Sequence, residues 1–521
     1  MLAFPRRCGF LALFVLLAIA SPAIGQSAAK KLPSAEKIVA DYLKAIGGKK
    51  AAAAQRDTTY EWTVYFNNQP FGAARTLRKA PGSERFELTF GNGQIISAAN
   101  TRSAWELGLD KQLRTLTGLE AATAKLQAAL AASRLVDFKK ANVLARVIAL
   151  GDLATDPAYI VEFSTRSGAR VQYYFSLKSK LITKITSDTG KTYVVCEDYR
   201  PEHGLLEPHR LRLSLSGAGA LAPTGELTLF LQSVTQNTSI DDVLFDPPAT
   251  TESLDINALL REVALNQDAI EQRVSEYSFK QTETDRTINS KGEVKKESVK
   301  VYEVFPLPNR EPVQKLISEN GVPLSADRAA KEDKRVEEEF LKAERDKDKD
   351  AQEAARRRAE RDKKNDEDGD PAISMFLRAC DFVSPRRERF EGRESIVFDF
   401  RPRAGFKPKT REESLIAKLV GVVWIDPVDK QVMRLEARLA EGFKMGGGLL
   451  VSLKPGAALV MEQTRMVEGV WLPRFAQINL SVKVLLFAGG DFNKTIEWSD
   501  YKHFSGDVKD YKIEAPAGVK P

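Results

Sequence analysis

The side chains best suited to chemistry are few in this sequence, and their spacing points to turns rather than to a reaction. Three histidines occur: His203, His209 and His503. His203 and His209 share one short segment with Pro208, Glu202 and Glu207, donors that a metal could in principle use. Their spacing matches no ligand set, and Pro208 reads as turn chemistry, so no metal is assigned. Gly190-Lys191-Thr192 ends like a phosphate-binding loop, but the leading glycine would have to stand where the chain has Ile185. That segment reads as a hairpin turn. No Gly-x-Ser-x-Gly elbow occurs, and neither Cys196 nor Cys380 has a paired histidine in its own half of the chain that would make it a nucleophile. Asp241-Asp242 is a carboxylate pair of a kind common in loops, and a glycosidase-type pair assembles only in space. The expectation is a protein with no catalytic residues, no metal and no cofactor.

The N-terminus says more. Arg6 and Arg7 precede an apolar stretch from Cys8 to Ala20, then Ser21 and Pro22, with small Ala23 and Gly25 where a signal peptidase cuts. That order predicts a secretory signal peptide over residues 1–25 and a mature chain from about Gln26. The apolar run is about 13 residues against roughly 20 for a membrane span. Cys8 opens that run rather than following it, so it is not a lipoprotein's acylated cysteine. The remaining roughly 495 residues suffice for two or three domains. A net charge of +7, spread over 521 residues with no basic stripe, is not a nucleic-acid footprint. A weak attraction to anionic head groups, and so contact with a membrane surface, stays open. Cys196 and Cys380, far apart in the sequence, are too few in so long a chain for a disulfide framework and read as two small buried hydrophobes rather than a bridge.

The elements that must position any site are mostly strands. Ser34 caps a helix carrying Ile38, Val39, Tyr42, Leu43 and Ile46 at helical spacing, which Gly47-Gly48 ends. Alternation then marks strands at 60–66, 86–90, 159–163, 171–175 and 211–215, interrupted by an alanine-rich helix between Leu116 and Leu130. A second helix from Leu254 towards Ser275 precedes a restart of the strand pattern at Tyr277. Two matches suggest a repeat. Residues 174–185 align without a gap on 424–435, each a strand, a polar turn with a lysine and a returning strand. Residues 203–209 resemble 468–474. Residues 327–370 are almost entirely Lys, Arg, Asp, Glu and Ala, which predicts an exposed charged helix within the second half that buries no core, its far end frayed or disordered.

The helix ending in Gly-Gly, the Asp426-x-x-x-Lys430 turn, the Gly469-Val470-Trp471-Leu472-Pro473 step and the closing 498–504 strand resemble the LolA/LolB-like superfamily, which includes bacterial proteins labelled outer membrane lipoprotein-sorting proteins. The likeness is clearest over 422–473. It implies an α+β, β-rich fold of two tandem incomplete antiparallel β-barrels with capping helices, over 34–250 and 254–510, with the 327–370 insertion in the second. It further implies a periplasmic, non-catalytic carrier or chaperone for a lipid or the acyl chain of a lipoprotein. The chain departs from LolA in having two such units, and no arginine matches the one that latches LolA's lid.

An apolar ligand would need an apolar concavity. The candidates are Trp62, Val64, Phe66, Phe86, Phe90 and Phe163 in the first half, and Phe279, Phe398, Phe400, Trp424 and Met433 in the second. The same alternation equally describes the packed inner face of a curved sheet. In that case the protein is an envelope interaction module with solid barrels, using the charged arm or an edge strand. Oligomeric state is not legible in the sequence.

Overall fold

β-branched and aromatic residues alternate with polar ones over runs of seven to fourteen residues, and such runs are stable only as partners in a sheet. In the computed structural model they form two thirteen-stranded antiparallel sheets. The structure describes residues 32–504, except 92, 152–155, 188–192, 215–224, 275, 290–292, 308–309, 365–370, 446–450, 467–468 and 485–490. The predicted signal peptide, the Gly190-Lys191-Thr192 turn and the far end of the charged insertion lie outside the described residues.

The first sheet contains β1 (Asp57–Phe66), β2 (Gln69–Lys79), β3 (Ser83–Phe90), β4 (Gly93–Ala99), β5 (Ala104–Leu107), β6 (Leu113–Thr115), β7 (Leu144–Gly151), β8 (Ala158–Ser164), β9 (Arg170–Ser176), β10 (Ile182–Ser187), β11 (Tyr193–Glu202), β12 (Leu205–Ser214) and β13 (Glu226–Gln236). The second contains β14 (Tyr277–Ile288), β15 (Val294–Phe305), β16 (Val313–Glu319), β17 (Val322–Pro323), β18 (Cys380–Phe390), β19 (Arg393–Pro402), β20 (Leu419–Asp426), β21 (Gln431–Leu439), β22 (Phe443–Met445), β23 (Val451–Leu453), β24 (Ala458–Arg465), β25 (Trp471–Val484) and β26 (Asp491–His503). Both are open: β6 and β7 are the edges of the first, β17 and β18 of the second.

The two sheets are connected in the same order. Each begins with a meander, is interrupted by helix, resumes as a second meander, and closes by pairing its last strand with its first: β13 with β1, β26 with β14. The hairpins β9–β10 and β20–β21 hold corresponding places and share a turn. Ser176 Oγ accepts from the N–H groups of Lys178 and Ser179 at 3.1 and 2.9 Å, and Asp426 Oδ1 from those of Val428 and Asp429 at 2.9 and 2.8 Å. Lys180 and Lys430 then take positive φ angles of 66° and 53°.

Helices cover the apolar faces. α1 (Ala35–Ala45), α2 (Lys49–Ala54) and α3 (Gly118–Ala132) belong to the first sheet. Ile38, Val39 and Leu43 of α1 and Leu126 and Leu130 of α3 bury against Val161, Phe163, Val171 and Phe175. In the second half come α4 (Ile256–Val274), α5 (Ala326–Arg345), α6 (Lys347–Lys364), α7 (Pro371–Ala379) and α8 (Arg411–Ile416). Leu259, Leu260 and Val263 of α4 and Ala379 of α7 cover Phe398, Phe400, Val423 and Ile425.

The charged insertion departs from expectation. It is helical, but α5 is not free of the core: Val336, Phe340 and Ala343 bury against Leu307 and Val313. Three apolar residues at spacings of four and three make a narrow stripe, enough to dock a helix on one strand. Around it Lys315 pairs with Asp333 at 2.6 Å, Arg328 with Glu319 at 2.8 Å and Arg310 with Asp346 at 2.8 Å.

Candidate ligand cavity

Between α3 and the second sheet lies a cavity of about 1410 Å³, larger than the usual 300–1,000 Å³ of a small-molecule site. Its position is set by how the two sheets meet. Edge strands β6 and β18 are joined by side chains: the Thr115 N–H and hydroxyl donate to Glu388 at 2.8 and 2.6 Å. Arg386, 1% exposed, donates to Thr115 Oγ1 at 2.7 Å, to Glu388 at 2.8 Å and to Asp399 at 3.1 Å. Ser103 Oγ donates to Asp399 at 2.7 Å. A second hinge of contacts sits at the far side, where Asn493 donates to the Arg166 carbonyl at 3.1 Å.

The helix that forms one wall is pinned at both ends. At its start the Gly118 N–H donates to Glu436 at 3.3 Å. Just past its end Arg134 pairs with Glu207 at 2.5 Å and donates to Tyr60 at 2.9 Å. Glu207 is thereby committed to holding α3 on the sheet. Along α3, Leu119, Ala121, Ala122, Leu126 and Ala129 face the cavity and make an apolar wall. Alanine suits this place because it favours helix while leaving room. The opposing wall, from β21, β24 and β25, carries the polar Arg434, Glu436, Arg438, Glu462, Gln477 and Asn479 beside the apolar Val460 and Phe475. Gly421 on β20 lets strands close up beneath it, since a Cβ there would sit 2.7 Å from the Phe400 ring. Leu119 and Leu459, 51% and 39% exposed, mark the mouth.

One charge interrupts the apolar wall. Lys125 lines the cavity with no carboxylate within ion-pair distance among the described residues. Burial holds its ammonium below the usual lysine range, with Glu436 and Asp399 opposing that shift and Arg438 and Arg434 adding to it. Burial likewise lowers Arg438, to about 10. Among the described residues its guanidinium donates only to the Thr101 carbonyl, at 2.8 and 2.6 Å.

The aromatic and aliphatic residues predicted as ligand contacts fall in several separate clusters, and none lines this cavity. Trp62 and Val64 are buried with Phe66, Phe86 and Phe90 packed alongside in a cluster of β1–β3, β12 and β13. Phe163 lies under α1, edge-on to Phe138 and Tyr173 at 5.4 and 5.2 Å. Phe398 and Phe400 lie under α4 and α7, while Trp424 and Met433 are buried with Val397, Val422 and Trp471. Phe279 is half-buried, 5.2 Å from Tyr501. His209 pairs with Glu202 at 3.0 Å, His203 contacts the Val234 carbonyl at 3.1 Å, and His503 stands 3.8 Å from Glu276. Among the described residues no cluster of His, Cys, Asp and Glu could hold a metal. Cys196 and Cys380 are free thiols, each pushed by burial up to about 12.

Lys125 and Arg438 escaped the sequence reading. The signal for the first was present: Lys125 is the one charged residue between Glu120 and Arg134 in an alanine-leucine helix. Arg438 carried none, because only the meeting of the two sheets brings β21 opposite α3.

No family model matches the chain, and no curated protein matches it. Solved structures do. One is a DUF1329 family protein from Desulfovibrio piger, 9% identical, matched over 40% of this chain and 96% of that one with a TM-score of 0.28. Another is a LolA superfamily protein from Nitrosomonas europaea, 14% identical over 42% of this chain and 99% of that one, TM-score 0.29. A third is the MucA/MucB complex of Pseudomonas aeruginosa, 8% identical over 88% of this chain and 93% of that one, TM-score 0.19. Likenesses at this level say nothing of ligand or partner.

Proposed function

We propose that this chain is an exported, periplasmic, non-catalytic carrier or chaperone, built of two tandem LolA-like units, that holds the apolar chain of a lipid or an acylated protein. The observation that carries the reading is the cavity of about 1410 Å³ with an alanine-leucine wall along α3 broken only by Lys125. The sheet aromatics, from Trp62 to Met433, act in this reading as the rigid backing against which the walls are held. The free energy is adequate. Each methylene removed from water gains about 0.8 kcal/mol, so a fourteen-carbon chain gains on the order of 10 kcal/mol. Immobilisation takes back several kcal/mol, leaving micromolar binding or tighter.

The test is lipid extraction and native mass spectrometry of protein purified from a bacterial periplasm. Near-stoichiometric lipid or acylated peptide supports the reading. A clean apo mass, with no uptake of added fatty acid or phospholipid, overturns it and turns attention to the α5–α6 arm.

A further inference from the structure

The charges around the cavity are mostly matched. Arg434 pairs with Glu436 at 2.8 Å and also with Glu462, and Arg474 pairs with Glu462 at 3.1 Å. Lys140 pairs with Asp137 at 2.7 Å, and Arg102 with Asp246 and, at 3.5 Å, Asp399. Among the described residues two cations, Lys125 and Arg438, are left over. Lys125 has no carboxylate within reach among the described residues, and Arg438 has only a peptide carbonyl. Both line the same cavity, one from the apolar helix and one from the polar sheet face opposite. Cations partly withdrawn from water are costly to leave unmatched unless an anion or hydrogen-bond acceptor joins them.

We propose that Lys125 and Arg438 form a head-group subsite, so that the occupant is an anionic amphiphile whose phosphate or carboxylate meets these two cations while its chain runs along α3. The inference rests on the carrier reading and narrows it. The two walls fit the two parts of such a molecule. From Leu119 to Ala129 the apolar helix face extends about 15 Å at 1.5 Å per residue, and Lys125 sits within it. The guanidinium of Arg438 presents several donors in a fixed plane suited to two oxygens of one anion, and the Lys125 ammonium adds a point charge. Neutral lipids would leave both cations unmatched.

The experiment measures binding of three probes to the full mature chain: dodecyl phosphate, dodecanol and inorganic phosphate. Wild type is expected to prefer dodecyl phosphate over dodecanol by at least tenfold. Lys125→Gln with Arg438→Gln should abolish that preference. Lys125→Gln alone, at a partly exposed position, gives a milder variant whose folding is checked by circular dichroism, and it should lose part of the preference. Equal binding of both amphiphiles to wild type overturns the head-group subsite while the carrier reading stands, as does a preference that survives the double variant. Inorganic phosphate bound as tightly as dodecyl phosphate overturns the amphiphile and assigns a small-anion site. Failure of both amphiphiles to bind overturns the carrier reading itself.

Discussion

The Thr115 backbone N–H donates to the Glu388 carboxylate at 2.8 Å, so the edge strand of one sheet ends on a side chain of the other. An open edge invites pairing with another chain. Here β6 is capped by a charge that is itself held by Arg386, which also holds Asp399. The same network ties β6, which leads into α3, to β18 and β19 of the second sheet.

The seam should therefore be sensitive to loss of its cation. Arg386→Ala leaves the buried Glu388 carboxylate with only Thr115 as donor and the buried Asp399 carboxylate with Ser103 and the more distant Arg102, and is expected to cost about 3–5 kcal/mol in chemical denaturation. A change under 1 kcal/mol would mean that the sheets are held together elsewhere.

Phe340 makes the charged insertion part of the fold. Phe340→Ala should destabilise by about 3 kcal/mol, since its ring is buried against the strand layer. Deleting 347–364, which removes α6 and leaves α5 in place, should cost far less. Equal losses would place the anchoring in α6.

How much of this was legible in the sequence depended on the range of the interactions. Period-two alternation at Trp62-Val64-Phe66 marks a buried face because strand geometry is local. The paired turns at Ser176 and Asp426 are legible for the same reason: a side-chain oxygen two residues before the N–H that it accepts needs no distant partner. The docking of α5 was missed because three apolar residues in a charged run look negligible until β16 is seen beneath them. The cavity was missed for a stronger reason. Alternation reports which side chains leave water, and the best-buried ones pack against each other. A space for a ligand lies where complementary side chains are lacking, between α3 and a sheet nearly three hundred residues later, and no local pattern encodes that.

Lys125 gives a pH signature. Its folded pKa lies below the unfolded value of 10.5, so the unfolded chain binds more protons between the two values and the stability of the free protein rises with pH through that window. Below the window the charged ammonium costs stability, opposed in part by Glu436 and Asp399 and aggravated by Arg434 and Arg438. Lys125→Met should accordingly raise the thermal midpoint of the ligand-free protein at neutral pH, while dodecyl phosphate binding falls. The complementary trend is that wild-type affinity for that anion drops as pH rises through the lowered lysine pKa. A midpoint that falls in Lys125→Met would contradict the assignment of an unmatched cation.

Cys196 and Cys380 should be inert in the folded state. With both thiols pushed up to about 12, thiolate is scarce at pH 8. Peptide mapping after iodoacetamide treatment should find both unmodified in native protein and both alkylated in denaturant. Fast native labelling of Cys380 would mean that β18 leaves the seam.

The most direct measurement of the central claim is uptake of a spin-labelled or fluorescent fatty acid by wild type and by Leu119→Glu with Leu459→Glu. These two leucines stand at the cavity mouth and are exposed enough that the substitutions should shift stability by only about 0.5 kcal/mol each. The account predicts saturable micromolar uptake by wild type and at least a tenfold weaker uptake by the variant at unchanged stability. Undiminished uptake by the variant, or none by wild type, would contradict a ligand site between α3 and the second sheet.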